Sequence, residues 1–451
     1  MRYLTFTLLI ITLTALTPPI LLAQDDLGTV NFETSCRTEV ESDFERGVAL
    51  LHHMMYEQAE DVFNGVADGD PLCAMAYWGM AMTHLHPLWA PPSDQAIQEG
   101  QEAVRQARAL EASTEREQAY IEAIAAYFDD ASKRSHPEQL AAWEKAQKEL
   151  SASYPNDVDA GAFYALAHLA TAPPDDKDFA HQRRAGVLLE ELRAEHPEHP
   201  GVFHYTIHAY DNPKLAERAV EVARGYDDIA PSVPHALHMP GHIFVRLGMW
   251  EEAIDWNMRS AEAAREQPVA GKTSMHHAHA LDYMMYAYLQ QGRDEKASEV
   301  LGEINSVDDY QDHFGVAYGV AAAQARYVLE RGAWDEAARL PVRTHDAFPW
   351  AKYPQYEAIT YFARGLGAAR SGALDAARES INTLDDLYEQ TVEAGEDYWA
   401  IHVDVQRTTI SAWIAYAEGR HAEAIDRMRT AADLEDSVDK HPVTPGAVRP
   451  A

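Results

Sequence analysis

Leu247-Gly248-Met249-Trp250-Glu251-Glu252-Ala253 is the phrase that decides the fold. It returns as Gln291-Gly292-Arg293-Asp294-Glu295-Lys296-Ala297 and as Gly332-Ala333-Trp334-Asp335-Glu336-Ala337. Looser copies run from Gly372 to Ala377 and from Gly419 to Ala424. The glycine-to-glycine spacings are 44, 40, 40 and 47 residues. Each glycine ends a helix, where a residue at positive φ costs glycine little. Each alanine five residues later lets two helices approach closely. Self-similarity at a period of this size predicts a helical repeat array.

The pattern extends towards the N-terminus in weaker form. Met54-Met55-Tyr56-Glu57-Gln58-Ala59 matches the turn, and Ala74 to Ala81 matches a first helix. Stretches 115–150 and 157–195 read as further hairpins, with Pro173-Pro174-Asp175-Asp176 as a loop between helices. Helical periodicity dominates from about Glu39, with no sustained strand-like alternation. The repeat resembles the tetratricopeptide repeat with longer helices. The fold expected is therefore an all-α solenoid of roughly eight helical hairpins forming one curved superhelix. Residues 24–438 make a single repeat domain, and residues 439–451, outside the helical pattern, make an irregular, loose tail.

Acidic residues outnumber basic ones 72 to 37, a formal charge of −35. Nucleic acid and anionic membrane surfaces are disfavoured partners for such a chain. The first 23 residues read as a cleaved secretory signal. Arg2 is a short basic region, Leu4 to Leu16 an apolar one, Pro18 and Pro19 interrupt it, and Ala23 offers a small residue for cleavage. No other stretch is apolar enough to span a bilayer, so the mature protein is expected to be periplasmic or secreted. The two cysteines, Cys36 and Cys73, are then expected to form a disulfide, the alternative being two buried thiols.

Of 22 histidines, eight fall between His204 and His279. In proteins with the tetratricopeptide repeat, positions 2, 5, 9, 12 and 13 face the concave groove when the glycine is position 15 and the alanine position 20. The resemblance places His235, His238 and His242 at positions 2, 5 and 9 of the repeat with Gly248, and Arg246 at position 13. In the next repeat it places His279, Asp282 and Tyr286 at those positions. If Ala219 takes the alanine role one repeat earlier, His204, His208 and Asp211 fall at positions 5, 9 and 12.

Histidines at i and i+4 share a helix face. His204/His208 and His238/His242 are such pairs, and Pro240 kinks the helix between the second pair. With His279 and Asp282 they form the expected ligand set for a transition metal, Zn, Cu, Fe or Ni. His235, Asp211, His276 and Tyr286 are secondary candidates. Arg246 and Arg326, the latter at position 9 two repeats on from His242, are candidates for binding an anionic ligand. His84, His86, His196, His199 and His441 read as residues of helix ends, loops and tail, without a ligand role. The pairs lack the glutamate of a His-Glu-x-x-His protease motif, and no phosphate-binding loop or Gly-x-Ser-x-Gly elbow is present.

The strings Asp70-Pro71-Leu72-Cys73, His204-Tyr205-Thr206-Ile207-His208-Ala209-Tyr210-Asp211, His235-Ala236-Leu237-His238-Met239-Pro240-Gly241-His242-Ile243-Phe244 and His279-Ala280-Leu281-Asp282-Tyr283 resemble those of a family of exported bacterial tetratricopeptide-repeat proteins. His441-Pro442-Val443-Thr444-Pro445-Gly446 adds to the likeness. The resemblance covers about Asn31 to the end and implies the fold and export. Two functions are expected from the groove. One is a metal site serving a partner or acting on a small anionic substrate. The other is a scaffold that binds a peptide or protein partner without metal.

Overall fold

Gly248, Gly292, Gly332, Gly372 and Gly419 all sit at positive φ, between 65° and 86°, and each closes one helix before the next begins. The alanines five residues later, Ala253, Ala297, Ala337, Ala377 and Ala424, are all buried between helices. The phrase in the sequence is thus the corner of a helical hairpin. In the first hairpin Met54 takes the same left-handed conformation, at φ 55°.

A computed structural model describes residues 27–173 and 176–451. The expected signal segment and Pro174-Asp175 lie outside the described residues. The fold is an all-α solenoid of the tetratricopeptide type. Antiparallel pairs follow one another: Glu41–His52 with Tyr56–Gly69, Ala74–Thr83 with Asp94–Ala109, Glu115–Phe128 with His136–Ser153, and Val158–Ala170 with Ala180–Glu195. The C-terminal half continues with Met275–Gln290 and Asp294–Asn305, Pro354–Ser371 and Leu374–Glu393, and Asp397–Ala417 and His421–Glu435. The described residues contain no strand, only isolated bridges such as Val269 with Lys272. None of their helices is long and apolar enough to cross a membrane.

Two repeats depart from the regular hairpin. After Gly332 the second helix lasts only from Trp334 to Ala337, because Pro341 withholds a backbone donor and Arg343 and His345 turn left-handed. After Asp211 the second helix is broken into the short pieces Ala216–Ala219, Val220–Arg224 and Tyr226–Ile229. Cys36 and Cys73 are joined by a disulfide, which ties the segment before the first helix to the start of Ala74–Thr83.

The superhelix curves tightly enough for distant repeats to meet across its concave side. The Gln311 amide donates to Glu57 at 2.7 Å, a contact spanning 254 residues. The C-terminal segment also contradicts the expectation of a loose tail. It carries no helix, yet Lys440, Val443 and Thr444 pack into the concave face. Arg326 holds it by donating to the carbonyls of Gly446 and Ala447 and to the Thr444 hydroxyl, at 2.7–3.0 Å. His441 Nε2 lies 3.0 Å from the Trp89 carbonyl, so the tail bridges to the N-terminal repeats.

Candidate metal centre

Three helices supply the histidines. Pro200–Tyr210 carries His204 and His208, and a proline at its first turn suits the fixed φ of that residue. The next helix is split at Met239 into Pro234–His238 and Pro240–Leu247, as Pro240 requires. It presents His235, His238 and His242. Met275–Gln290 carries His276 and His279, its N-terminus capped by the Ser274 hydroxyl.

The helical pairs converge as the spacing predicts. His204 Nε2 lies 3.1 Å from His208 Nε2, and His238 Nε2 lies 3.0 Å from His242 Nε2. The donor atoms of His204, His208 and His235 lie within 4.8 Å of one another, and so do those of His238, His242 and His279. A tetrahedral ion bound at 2.0–2.1 Å holds its nitrogens about 3.3 Å apart, so both pairs are close to ligand spacing.

The outer ring nitrogens fix the tautomers. His238 Nδ1 lies 2.7 Å from Asn257 Oδ1, and Asn257 uses its own amide to donate to the Ala253 carbonyl. His242 Nδ1 lies 2.8 Å from Asp211 Oδ2, and His204 Nδ1 lies 2.7 Å from the His52 carbonyl. Each Nδ1 therefore donates to an oxygen acceptor, which leaves Nε2 as a lone pair. The lone pairs of His238 and His242 face each other at 3.0 Å. Tyr283 OH reaches His242 only at 3.4 Å and is shared with the carbonyls of Pro442 and Thr444. This backing of imidazoles by a carboxylate, an amide and a carbonyl is how metal-ligating histidines are oriented.

Gly241 permits the Asn257 contact. A Cβ there would lie 2.5 Å from Asn257 Nδ2, so the two helices can come this close only over glycine.

Burial, followed by the neighbouring imidazoles, holds His204, His235, His238 and His279 well below the usual histidine range. Burial takes His208 down to about 3 and His276 to about 4. Burial thus favours the neutral imidazole, the form that ligates metals. Both ring nitrogens of His235, and Nδ1 of His276 and His279, are buried without a hydrogen-bond partner in the protein. Leaving such a group unmatched costs about 1–3 kcal/mol, so several together point to a ligand.

Not every candidate belongs to this set. Asp282, expected as a ligand, pairs through Oδ1 with Arg326 Nε at 3.0 Å, with both side chains fully buried, while its Oδ2 has no partner in the protein. Burial lifts its carboxyl to about 6 against the pull of Arg326. Arg326, expected to take an external anion, is spent on Asp282 and on the tail. Arg246, the other anion candidate, donates to Asp211 Oδ1 at 2.8 Å. Tyr286 lies against Arg326, its ring centroid 5.1 Å from the guanidinium. His276 approaches His235, ring centroids 5.1 Å apart, but joins neither triad. Asp211 acts from behind His242. Although burial opposes it, Lys440, Arg246 and His242 hold its carboxyl well below the usual range.

Several contributors were invisible in the sequence. Trp89 packs edge-on to His235, and His441 closes the same space. His208, His235, His242 and His279, with Trp89 and Pro442, line a cavity of about 20 Å³. That is room for one water-sized group. On the N-terminal side His52 and His199 both donate from Nε2 to Asp159 Oδ1, at 2.9 and 3.1 Å. His52 Nδ1 accepts from Tyr205 OH at 3.1 Å, so this carboxylate-bridged pair braces the residue whose carbonyl orients His204. These residues come from separate repeats, and no local spacing announces them.

No family model matches the chain, and no curated protein matches it. Among solved structures it is similar to the human IFIT1 dimer with m7Gppp-AAAA, at 14% identity over 88% of this chain and 82% of that one, with a TM-score of 0.39. It is also similar to Naa15/Naa10 bound to HypK-THB, at 13% identity, 88% and 64% coverage and a TM-score of 0.27. The TPR domain of P58(IPK) is a third, at 13% identity, 89% and 96% coverage and a TM-score of 0.21. At these values the likeness carries nothing about ligand or activity.

Proposed function

We propose that this chain is an exported repeat protein whose concave face holds a transition metal on histidine, for metal binding or for metal-dependent chemistry on a small anionic substrate. The observation that carries this reading is the pair of lone pairs on His238 and His242, 3.0 Å apart, with both Nδ1 atoms committed as donors elsewhere. Neutral imidazoles in that arrangement repel unless a cation lies between them. An all-imidazole donor set suits Zn, Cu, Fe or Ni and disfavours Mg or Ca. When bound, the ion would supply Lewis-acid character. The protein orients the ligands through Asp211, Asn257 and His52, and excludes bulk water with Trp89 and the tail.

Export to the periplasm or medium is supported by the Arg2 and Leu4–Leu16 leader and by the Cys36–Cys73 bond. The motif strings support membership of the exported bacterial repeat family. Elemental analysis of untagged protein tests the metal reading, beside a His238→Ala/His242→Ala variant. About one ion or more per chain, reduced in the variant, is the expected result. Protein without Zn, Cu, Fe or Ni, and unable to take them up, would overturn it.

A second reading is a groove for a peptide or protein partner without metal. The tail favours it, since residues 440–447 lie along the concave face as a peptide would, read by Arg326 through backbone carbonyls. Partner capture unaffected by chelator, with no metal present, would make it the function.

A further inference from the structure

The two histidine triads are built on one rule. With Ala219 in the alanine role, His204 and His208 are positions 5 and 9, and His235 is position 2 of the following repeat. His238 and His242 are again positions 5 and 9, and His279 is again position 2 of the following repeat. Each triad therefore joins an i, i+4 pair on one helix to a histidine of the following repeat. Both consist of an i, i+4 pair with facing Nε2 atoms, 3.1 Å apart in one and 3.0 Å in the other. Both contain an imidazole anchored through Nδ1, to the His52 carbonyl in the first and to Asn257 in the second. Both receive from the next helix an imidazole with an unpartnered buried nitrogen, His235 or His279.

The series stops where the chemistry stops. The next position 5 is Asp282, which is held by Arg326, the next position 9 is Tyr286, and the next position 2 is Gly319.

We infer that the concave face carries two metal ions side by side, one in each triad, with a shared space for one small ligand between them. This rests on the metal reading above. The triads abut: His208 and His242 have ring centroids 6.1 Å apart, and His235 and His238 have them 6.0 Å apart. The cavity of about 20 Å³ is lined by His208 and His235 from one triad and by His242 and His279 from the other. It therefore lies between the two sets of donors, where a water-sized group can reach both ions. Three neutral imidazoles per ion, with no carboxylate in either triad, favour copper or zinc over harder ions.

The test uses the full chain, stripped with chelator and titrated with Cu²⁺ alone. Two equivalents are expected in the wild type. One is expected in His204→Ala/His208→Ala, and one in His238→Ala/His242→Ala. Electron paramagnetic resonance of the wild type at two equivalents should show dipolar coupling and a half-field transition, and each variant an isolated Cu²⁺ signal. One equivalent in the wild type, abolished in either variant, would mean a single shared ion and overturn the inference while leaving the metal reading intact. Two equivalents without coupling would overturn the shared space. No uptake at all would remove the metal reading itself. If a double variant fails to fold, as circular dichroism would report, His235→Gln and His279→Gln probe the two triads singly. The wild-type stoichiometry and coupling decide the question in any case.

Discussion

Lys440 and Asp211 meet at 3.3 Å, although 229 residues separate them in the chain. Lys440 stands at the start of the C-terminal segment, with its side chain largely shielded from solvent. Asp211 is the carboxylate that orients His242. The tail thus meets the carboxylate that orients the histidine cluster, and the Lys440 ammonium also donates to the Thr444 carbonyl at 2.8 Å, which folds the segment over the imidazoles. Burial brings Lys440 down to about 8, with Asp211 opposing that shift. Packing of the tail and orientation of His242 share one carboxylate.

Asp211→Asn keeps the size of the side chain and removes its charge. Loss of an orienting carboxylate behind a ligating histidine weakens metal affinity by about 10–100-fold. Competition with a chromophoric chelator measures this directly. Unchanged affinity would show that Asp211 serves only Arg246 and Lys440.

A chain ending at Val438 lacks the segment that covers the histidines. Metal exchange with chelator should accelerate by about tenfold or more, the equivalent of about 1.4 kcal/mol or more of closure free energy. Stopped-flow chelation on wild-type and truncated protein reads this. Equal rates would mean that the ion enters and leaves by another route.

Gly241→Ala should push Asn257 away from His238, since the new Cβ would lie 2.5 Å from Asn257 Nδ2. Overpacking of this kind costs about 1–3 kcal/mol, and metal affinity should fall with it. Gly65, in the helix Tyr56–Gly69, has nothing within 4 Å of its missing Cβ. Gly65→Ala should stabilise by about 0.5–1 kcal/mol and leave affinity untouched. Chemical denaturation of both variants makes the comparison. A neutral Gly241→Ala would remove the close-packing argument.

The chelator-treated protein should lose stability in mild acid. Burial takes His52 to about 4, His53 to about 3 and His402 to about 4, against about 6.5 in an unfolded chain. The folded values are depressed, so the unfolded chain binds the extra protons. The stability these residues contribute is complete above pH 6.5 and is lost as pH falls towards 4. Each contributes a slope of about 1.4 kcal/mol per pH unit in that window. Urea unfolding from pH 7 to pH 4.5, with His53→Gln expected to lower the slope by one such step, is the measurement. A flat profile would contradict neutral burial of these rings.

The repeat was legible because its determinants are local. A glycine at positive φ and an alanine five residues on specify a hairpin corner without reference to the rest of the chain, and Gly248 and Ala253 behave as that logic requires. The pairs His204/His208 and His238/His242 were legible for the same reason, since a spacing of four fixes one helix face. The disulfide between Cys36 and Cys73 was legible because the sequence holds only two cysteines behind a leader that predicts export.

Tertiary structure decided everything that depends on how repeats stack. Asp282 lies at the groove position that its spacing from His279 assigns, yet Arg326 from the next repeat engages its Oδ1. His441 and Trp89 sit in segments without helical pattern, and only superhelical closure brings them to the imidazoles. The tail gave no periodic signal because it packs through backbone carbonyls, and carbonyls carry no sequence signature. Side chains sharing one helix can be read from spacing. Partners from different helices depend on the pitch of the superhelix, which is a property of the whole stack.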